Sequence, residues 1–396
     1  MKSFESLSAK EWPDPKTTRP HILPIYATAS YDFESMEESV DIFSGKSIGH
    51  TYSRYGNPTS EATADKIAAM ETHGSAIKAK AVMTSSGMSA LHVLLSGLLT
   101  TGDKILTHAN IYGGSTELLH QICRHWKIDM LYTDLNQTDE VGELLRKDKT
   151  IRMVFFETPA NPTLDCIDIK ALCTVAKNHG VWSAIDNTFA TPYLQQPMLL
   201  GADFVIHSTS KFLNGHGTTI SGVIIGLDTE TFHTQIWKTM KLTGANCSPF
   251  EAWLVYQGLK TLPLRMQKHS DNALAVAKAL SSHKDVSHVN YPGLEDHRSY
   301  TIAKKQMRAF GGMMSFEVEG GMKAALRAMN HVKFCSLTPT LGDVDTMILH
   351  PVSSSHLRVD PDVREKVGIT DGLIRVSVGI EHLDDIVDDL LQAIEA

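Results

Sequence analysis

A chain of 396 residues with 42% hydrophobic and 21% charged residues has the composition of an ordinary globular protein, long enough for two or three compact units of about 150 residues each. Its formal charge of -8, without basic runs, argues against nucleic acid or an anionic membrane as the main partner. The five cysteines, Cys123, Cys166, Cys173, Cys247 and Cys335, never form a C-x-x-C pair, so neither a disulfide framework nor a metal site is expected and a reducing cytoplasm fits best.

Residues Met1 to Pro20 hold no apolar core of a secretory signal, and no apolar run reaches the roughly 18 residues a membrane span requires. Up to Pro58 the chain is rich in Pro, Gly, Ser and Tyr without helical period, which predicts an extended arm over residues 1–58. From Thr59 helical patterns alternate with short apolar runs at Ala81 to Thr84, Lys104 to Thr107, Met130 to Thr133, Met153 to Phe156, Trp182 to Ile185, Phe204 to Ile206 and Gly222 to Ile225. That alternation predicts an α/β unit over 59–257, a largely parallel sheet with helices on both faces. After Gly258 long helical stretches and alternating strands such as Gly312 to Val318 predict a smaller α+β unit over 258–396. It closes with a strand at Leu373 to Val378, Ile374, Val376 and Val378 on one face, and an amphipathic helix striped by Leu383, Ile386, Val387, Leu390, Leu391 and Ile394.

Five places along this pattern carry chemistry. Ser85-Ser86-Gly87-Met88-Ser89 stands between a strand and a helix beginning near Ala90, where backbone N–H groups attract an anion, although a serine cap with a glycine turn has the same appearance. Tyr112, beside Gly113 and Gly114, offers a flat phenol for stacking or for core packing. Asp186 ends a strand of an open α/β sheet, where ligands approach, and either faces a ring nitrogen or caps the turn through Asn187 and Thr188. Lys211 follows a strand and Ser208-Thr209-Ser210; partial burial there would lower its ammonium pKa toward that of a Schiff-base lysine, whereas a surface lysine after an edge strand has the same local sequence. Ser208 and Ser210 are expected on one strand face as phosphate donors. Arg375 provides a planar fork suited to an α-carboxylate, or a solvated strand arginine. His207, His216 and His350 are too isolated for zinc and read as polar loop or core residues.

Together, YSRYGNPT at Tyr52 to Thr59, SSGMSA at Ser85 to Ala90, IYGG at Ile111 to Gly114, ETPANPT at Glu157 to Thr163, DNTFATPY at Asp186 to Tyr193, HSTSKFLNGHG at His207 to Gly217 and LIRVSVGIE at Leu373 to Glu381 resemble, in order, the motifs of the cysteine/methionine-metabolism (transsulfuration) family of pyridoxal 5'-phosphate (PLP) enzymes. The resemblance implies the aminotransferase-like fold of type I, with Lys211 carrying the cofactor, Asp186 at the pyridine nitrogen and Tyr112 stacked on the ring. Asn161 would reach the ring hydroxyl or the substrate carboxylate, Ser86, Gly87, Met88, Ser208 and Ser210 the phosphate, and Thr188 would complete the cofactor set. Arg375 and Thr340 would meet the amino-acid substrate. Tyr52 and Arg54 resemble the pair that crosses to a neighbouring subunit's phosphate, implying a homo-oligomer, commonly a tetramer.

Within that family, FGGMMSFEVEGG, MNHV and LGDVDTMILHPVSSSH between Phe310 and His356, and GLKTLPLRM at Gly258 to Met266, are most similar to methionine γ-lyase. That similarity implies γ-elimination of L-methionine or a related amino acid to 2-oxobutanoate, ammonia and a thiol. Lys211 would act as base and proton shuttle, and Tyr112 would protonate the departing group. Pro339-Thr340-Leu341-Gly342-Asp343 lacks the acidic residue that cystathionine enzymes often place there. Gly114, where the lyases commonly carry cysteine, and Met240-Lys241, where they carry Lys-Asp, depart from that pattern. Gly114 and the H-G-T run at His216 to Thr218 resemble O-acetyl- or O-succinylhomoserine sulfhydrylases, whose γ-replacement is the alternative; cystathionine γ-synthase or lyase, and a PLP-binding regulatory protein, come after it.

Overall fold

A computed structural model describes residues 3–10, 20–357 and 361–396. Part of the expected arm, residues 1–2 and 11–19, lies outside the described residues. The rest departs from the expectation at two short helices, α1 (Phe4–Ala9) and α2 (Met36–Phe43). Each starts at a serine whose hydroxyl accepts the N–H three residues on, Ser3 from Ser6 and Ser35 from Glu38. Helices this short show little period in sequence and are marginal alone. Packing holds α1 in place: Phe4 is buried edge-on against Tyr193, 5.3 Å between ring centroids.

All seven apolar runs of the α/β region form strands: β1 (Ala79–Thr84), β2 (Lys104–Thr107), β3 (Asp129–Tyr132), β4 (Ile151–Glu157), β5 (Trp182–Asp186), β6 (Phe204–Ser208) and β7 (Gly222–Leu227). They make one sheet in the order β1-β7-β6-β5-β4-β2-β3. The β6-β5-β4-β2-β3 pairings are parallel and the two involving β7 antiparallel. The runs are continuous rather than alternating because both faces are covered. Val154 and Phe156 enter one hydrophobic core, while Met153 and Phe155 enter the core on the opposite face.

Among the covering helices, α3 (Pro58–Glu71) is capped by the Asn57 side chain, and α4 (Gly87–Leu98) starts earlier than expected because Ser86 accepts from Ser89 N–H at 3.0 Å. The next, α5 (Gly113–Trp126), begins directly after Tyr112.

The second sheet holds β8 (Val286–Asn290), β9 (Met313–Val318), β10 (Ser336–Leu337), β11 (Met347–Leu349) and β12 (Leu373–Ser377), in the order β10-β11-β12-β9-β8. With the closing helix Leu383–Glu395 it forms the smaller α+β unit. Ile374 and Val376 of β12 enter its core beside Phe316 and Leu390. The opposite face is not solvated: Leu373, Arg375 and Ser377 are buried too, because that face turns toward the first sheet and its loops.

Ile374 is fully buried in this core, so Ile374→Ala should destabilise the protein by about 2–5 kcal/mol through lost burial and the cavity left behind. Chemical denaturation followed by circular dichroism should show the lowered midpoint; an unshifted midpoint contradicts the packing described.

Candidate active site

Strands β2, β4, β5 and β6 run parallel, so their carboxyl ends open on one edge of the sheet, the edge where ligands of open α/β sheets bind. Strand β1 ends there as well, since Thr84 and Ser208 both pair with Gly222 at the start of β7. Glycine is required at two points of this junction. A Cβ on Gly222 would collide with the Ser86 carbonyl, and one on Gly87 would stand 2.7 Å from Ser208 Cβ. Their absence lets the Ser86-Gly87-Met88 turn close onto Ser208. The N-terminal N–H groups of the 12-residue helix α4 then face a small cradle, a setting suited to a phosphate.

Asp186 ends β5 and Glu157 ends β4, directly opposite it in register. Asp186 both turns the chain and faces the cleft. Its Oδ1 accepts from the Thr188 N–H at 3.0 Å and from the Thr188 hydroxyl, whose oxygen in turn accepts from the Ser208 N–H at 2.9 Å. Burial pushes the Asp186 carboxyl above the ordinary carboxylate range, opposed by the Thr188 hydrogen bonds and the nearby His207. Glu157 accepts from the Tyr112 N–H at 2.9 Å, and burial, then the Asp186 charge, pushes its carboxyl well above that range.

Lys211 lies in the turn after β6. Its Nζ donates to Thr340 Oγ1 at 2.8 Å and has no carboxylate partner among the described residues. Burial, then the Arg375 charge, lowers its ammonium to about 8. The backbone carbonyl of Thr340 accepts from Arg375 at 3.0 Å, and Asn161 Oδ1 lies 3.4 Å from the other terminal nitrogen. Arg375 is 3% exposed, and its Nε has no hydrogen-bond partner among the described residues. A buried guanidinium with an unused donor and no acid beside it is suited to an incoming carboxylate. Tyr112 is 42% exposed, with its ring close over Gly114, where a Cβ would stand 2.5 Å from the ring.

One expectation needs correction. Strand β6 stops at Ser208, so Ser210 does not share its face; the Ser210 hydroxyl donates to the Ser221 carbonyl at 3.2 Å and accepts from the Ser221 N–H at 3.0 Å, tying the turn to β7. Tyr52 and Arg54, expected at a neighbouring subunit's phosphate, stand apart from the cleft of their own chain: Arg54 donates to the Lys241 carbonyl at 2.6 Å and stacks on Tyr55. The histidine readings agree with the structure. His207 is a core residue, paired at 2.8 Å with the buried Glu71, which also accepts from Asn187. His350 is buried and His216 sits in an exposed loop position.

Sequence reasoning overlooked Glu157 as a site residue, although a carboxylate closing an apolar strand run was a signal. It also overlooked His356, beside Arg375, whose imidazole burial lowers to about 4; the neighbouring Ser355 carbonyl abuts Gly113 at the start of α5.

The profile of a family described as "Cys/Met metabolism PLP-dependent enzyme" matches residues 5–395. The chain belongs to that family. It is 41% identical over 374 residues to an L-methionine gamma-lyase of Fusobacterium nucleatum subsp. polymorphum, covering 94% of this chain and 93% of that protein. It is 36% identical over 394 residues to an O-succinylhomoserine sulfhydrylase of Pseudomonas aeruginosa, covering 100% and 96%. A crystal structure of cystathionine gamma synthase from Xanthomonas oryzae pv. oryzae, in complex with aminoacrylate and cysteine, superposes with a TM-score of 0.92 at 32% identity, covering 100% of this chain and 98% of that one. The chain is therefore a PLP-dependent enzyme of transsulfuration type, with the type I fold expected from its motifs. The cleft fits the cofactor: an anion cradle that side chains on Gly87 and Gly222 would fill, a carboxylate deep in the cleft, and a lysine without an acidic partner.

In cofactor-free protein the Lys211 amine should be protonated below about pH 8 and neutral above it. Its labelling by trinitrobenzenesulfonate, followed by peptide mass spectrometry, should rise with a midpoint near that value. A midpoint near that of an exposed lysine, about 10.4, contradicts the described burial.

Proposed function

We propose that this enzyme eliminates the γ-substituent of L-methionine or a related amino acid, with water converting the remainder to 2-oxobutanoate and ammonia and the sulfur leaving as a thiol. The observation that carries the reading is the 41% identity to a methionine γ-lyase across 94% of the chain. The cleft supports it, because a substrate needs only an α-carboxylate, an α-amine and an apolar γ-group to use the groups present.

When bound, PLP supplies an electron sink for the Cα–H bond that ionises. Lys211 would hold it, with Asp186 at its ring nitrogen, Tyr112 on its ring face, and the Ser86-Gly87-Met88 turn with Ser208 at its phosphate; Thr188 and Asn161 complete the shell, and Ser210 braces it through Ser221. Arg375 binds the substrate carboxylate through its unused Nε and terminal nitrogens, placing Cα toward Lys211. The neutral Lys211 amine accepts the Cα proton and next moves a Cβ proton, its hydrogen bond to the Thr340 hydroxyl keeping the amine oriented. The Tyr112 hydroxyl hands a proton to the departing sulfur. Tyr52 and Arg54, turned away from their own cleft, serve the phosphate of a second copy, which makes the working enzyme at least a dimer.

γ-Replacement is the second reading, favoured by Gly114 and by the 36% identity to the sulfhydrylase over 394 residues. There the thiol is added rather than released. Incubation with L-methionine alone should yield equal amounts of 2-oxobutanoate and methanethiol. No keto acid from methionine, together with sulfide-dependent consumption of O-acetylhomoserine or O-succinylhomoserine, sinks the lyase reading in favour of replacement.

Borohydride reduction of the holoenzyme should leave the cofactor mass on the peptide containing Lys211. Attachment to a different peptide removes Lys211 from its assigned role.

A further inference from the structure

Glu157 lies between two groups already placed in the cleft. As the register partner of Asp186 on the neighbouring parallel strand it shares that residue's sheet face. Its Oε1 also accepts the Tyr112 N–H at 2.9 Å, the residue immediately ahead of α5. The Glu157 side chain is 6% exposed. Two carboxyl groups buried this close do not both ionise, because each charge raises the cost of the other.

The surroundings decide which one keeps its proton. Asp186 accepts two hydrogen bonds from Thr188 and has the His207 ring nearby, itself paired with Glu71. Glu157 has the Tyr112 N–H, the Ser115 hydroxyl and, at its own backbone, the Nε2 of buried His108, which burial holds neutral. The N-terminus of α5 favours negative charge on Glu157, but that attraction is small beside the cost of burying a second carboxylate next to the first.

We propose that Glu157 is a positioning residue working as an uncharged carboxylic acid: its Oε1 anchors the Tyr112 backbone, and its neutrality leaves Asp186 the single negative charge at these strand ends. Tyr112 has no side-chain cap to hold α5 in its place, so this acceptor on its N–H fixes the backbone from which the phenol ring projects. The inference rests on the assignment of Lys211, Asp186 and Tyr112 to the active site.

The test compares holoenzymes carrying Glu157→Ala and Glu157→Gln by kcat, KM, cofactor content and the cofactor absorbance spectrum, with circular dichroism to confirm folding. Glu157→Ala should lower kcat by about 10²-fold, the cost of a misplaced catalytic group, with a smaller change in KM. Glu157→Gln keeps a neutral acceptor of the same shape and should restore kcat to within about threefold of the parent, together with the parent spectrum.

A folded, cofactor-loaded Glu157→Gln as impaired as Glu157→Ala overturns the proposal, because charge would then be what Glu157 supplies. Parent-like kcat in Glu157→Ala overturns it too. Should Glu157→Ala fail to fold, Glu157→Gln decides alone by the same criteria. Lys211→Ala and Asp186→Asn, measured alongside, separate the two levels: if they retain turnover the site assignment itself is wrong, and if they lose it an adverse Glu157 result sinks this inference only.

Discussion

The in-register pairing of β4, β5 and β6 places Glu157, the last residue of β4, beside Asp186, the last of β5, and Asp186 beside Ile206, with β6 running on to Ser208. Parallel strands present their last side chains on one rim, so polar residues there face a common space. One hydroxyl then couples the rim together: Thr188 donates to Asp186 and accepts from the Ser208 N–H. The Asp186 carboxyl and the turn entered at Ser208 thus share a single hydrogen-bonded link. A one-residue slip would turn these side chains to the other face of the sheet.

The second sheet closes the cleft from the opposite side. Thr340 and Arg375 reach Lys211 from loops and strand β12 of the C-terminal unit, and Thr340 touches both, with its hydroxyl on Lys211 and its carbonyl on Arg375. Two cationic groups meet there with no carboxylate of the described residues between them. Burial, then the Arg375 charge, keeps the lysine amine within reach of neutrality. The cleft is therefore electrostatically unfinished on one side, a setting suited to a carboxylate.

The two departures from the lyase pattern have physical counterparts. The Tyr112 ring lies over Gly114, so a cysteine at that position would require the ring to move. Met240 is buried in the core beneath α4, while Lys241 lies over the Trp237 and Tyr55 rings at 4.4 and 5.0 Å and its carbonyl receives Arg54. Lys241 thus organises the arm rather than the cleft of its own chain.

Much of this was legible in the amino-acid sequence, for reasons that are local. A strand buried on both faces reads as a contiguous apolar run, and seven such runs marked the first sheet; the side chains of Asp186, Lys211 and Arg375 announced their chemistry by type and by position at strand ends or within a strand. The short helices α1 and α2 were hidden because their stability comes from caps and packing rather than period. Other features lay beyond sequence because they are contacts between distant residues: Lys211 meets Thr340 across 129 positions and Arg375 meets Asn161 across 214. Alternation suggested that Ser208 and Ser210 act alike, and only the turn after β6 separated their roles. Residue types determined which cofactor chemistry this chain is equipped for; register and burial decided which of its carboxyls stands beside which, and where the lysine finds its partner.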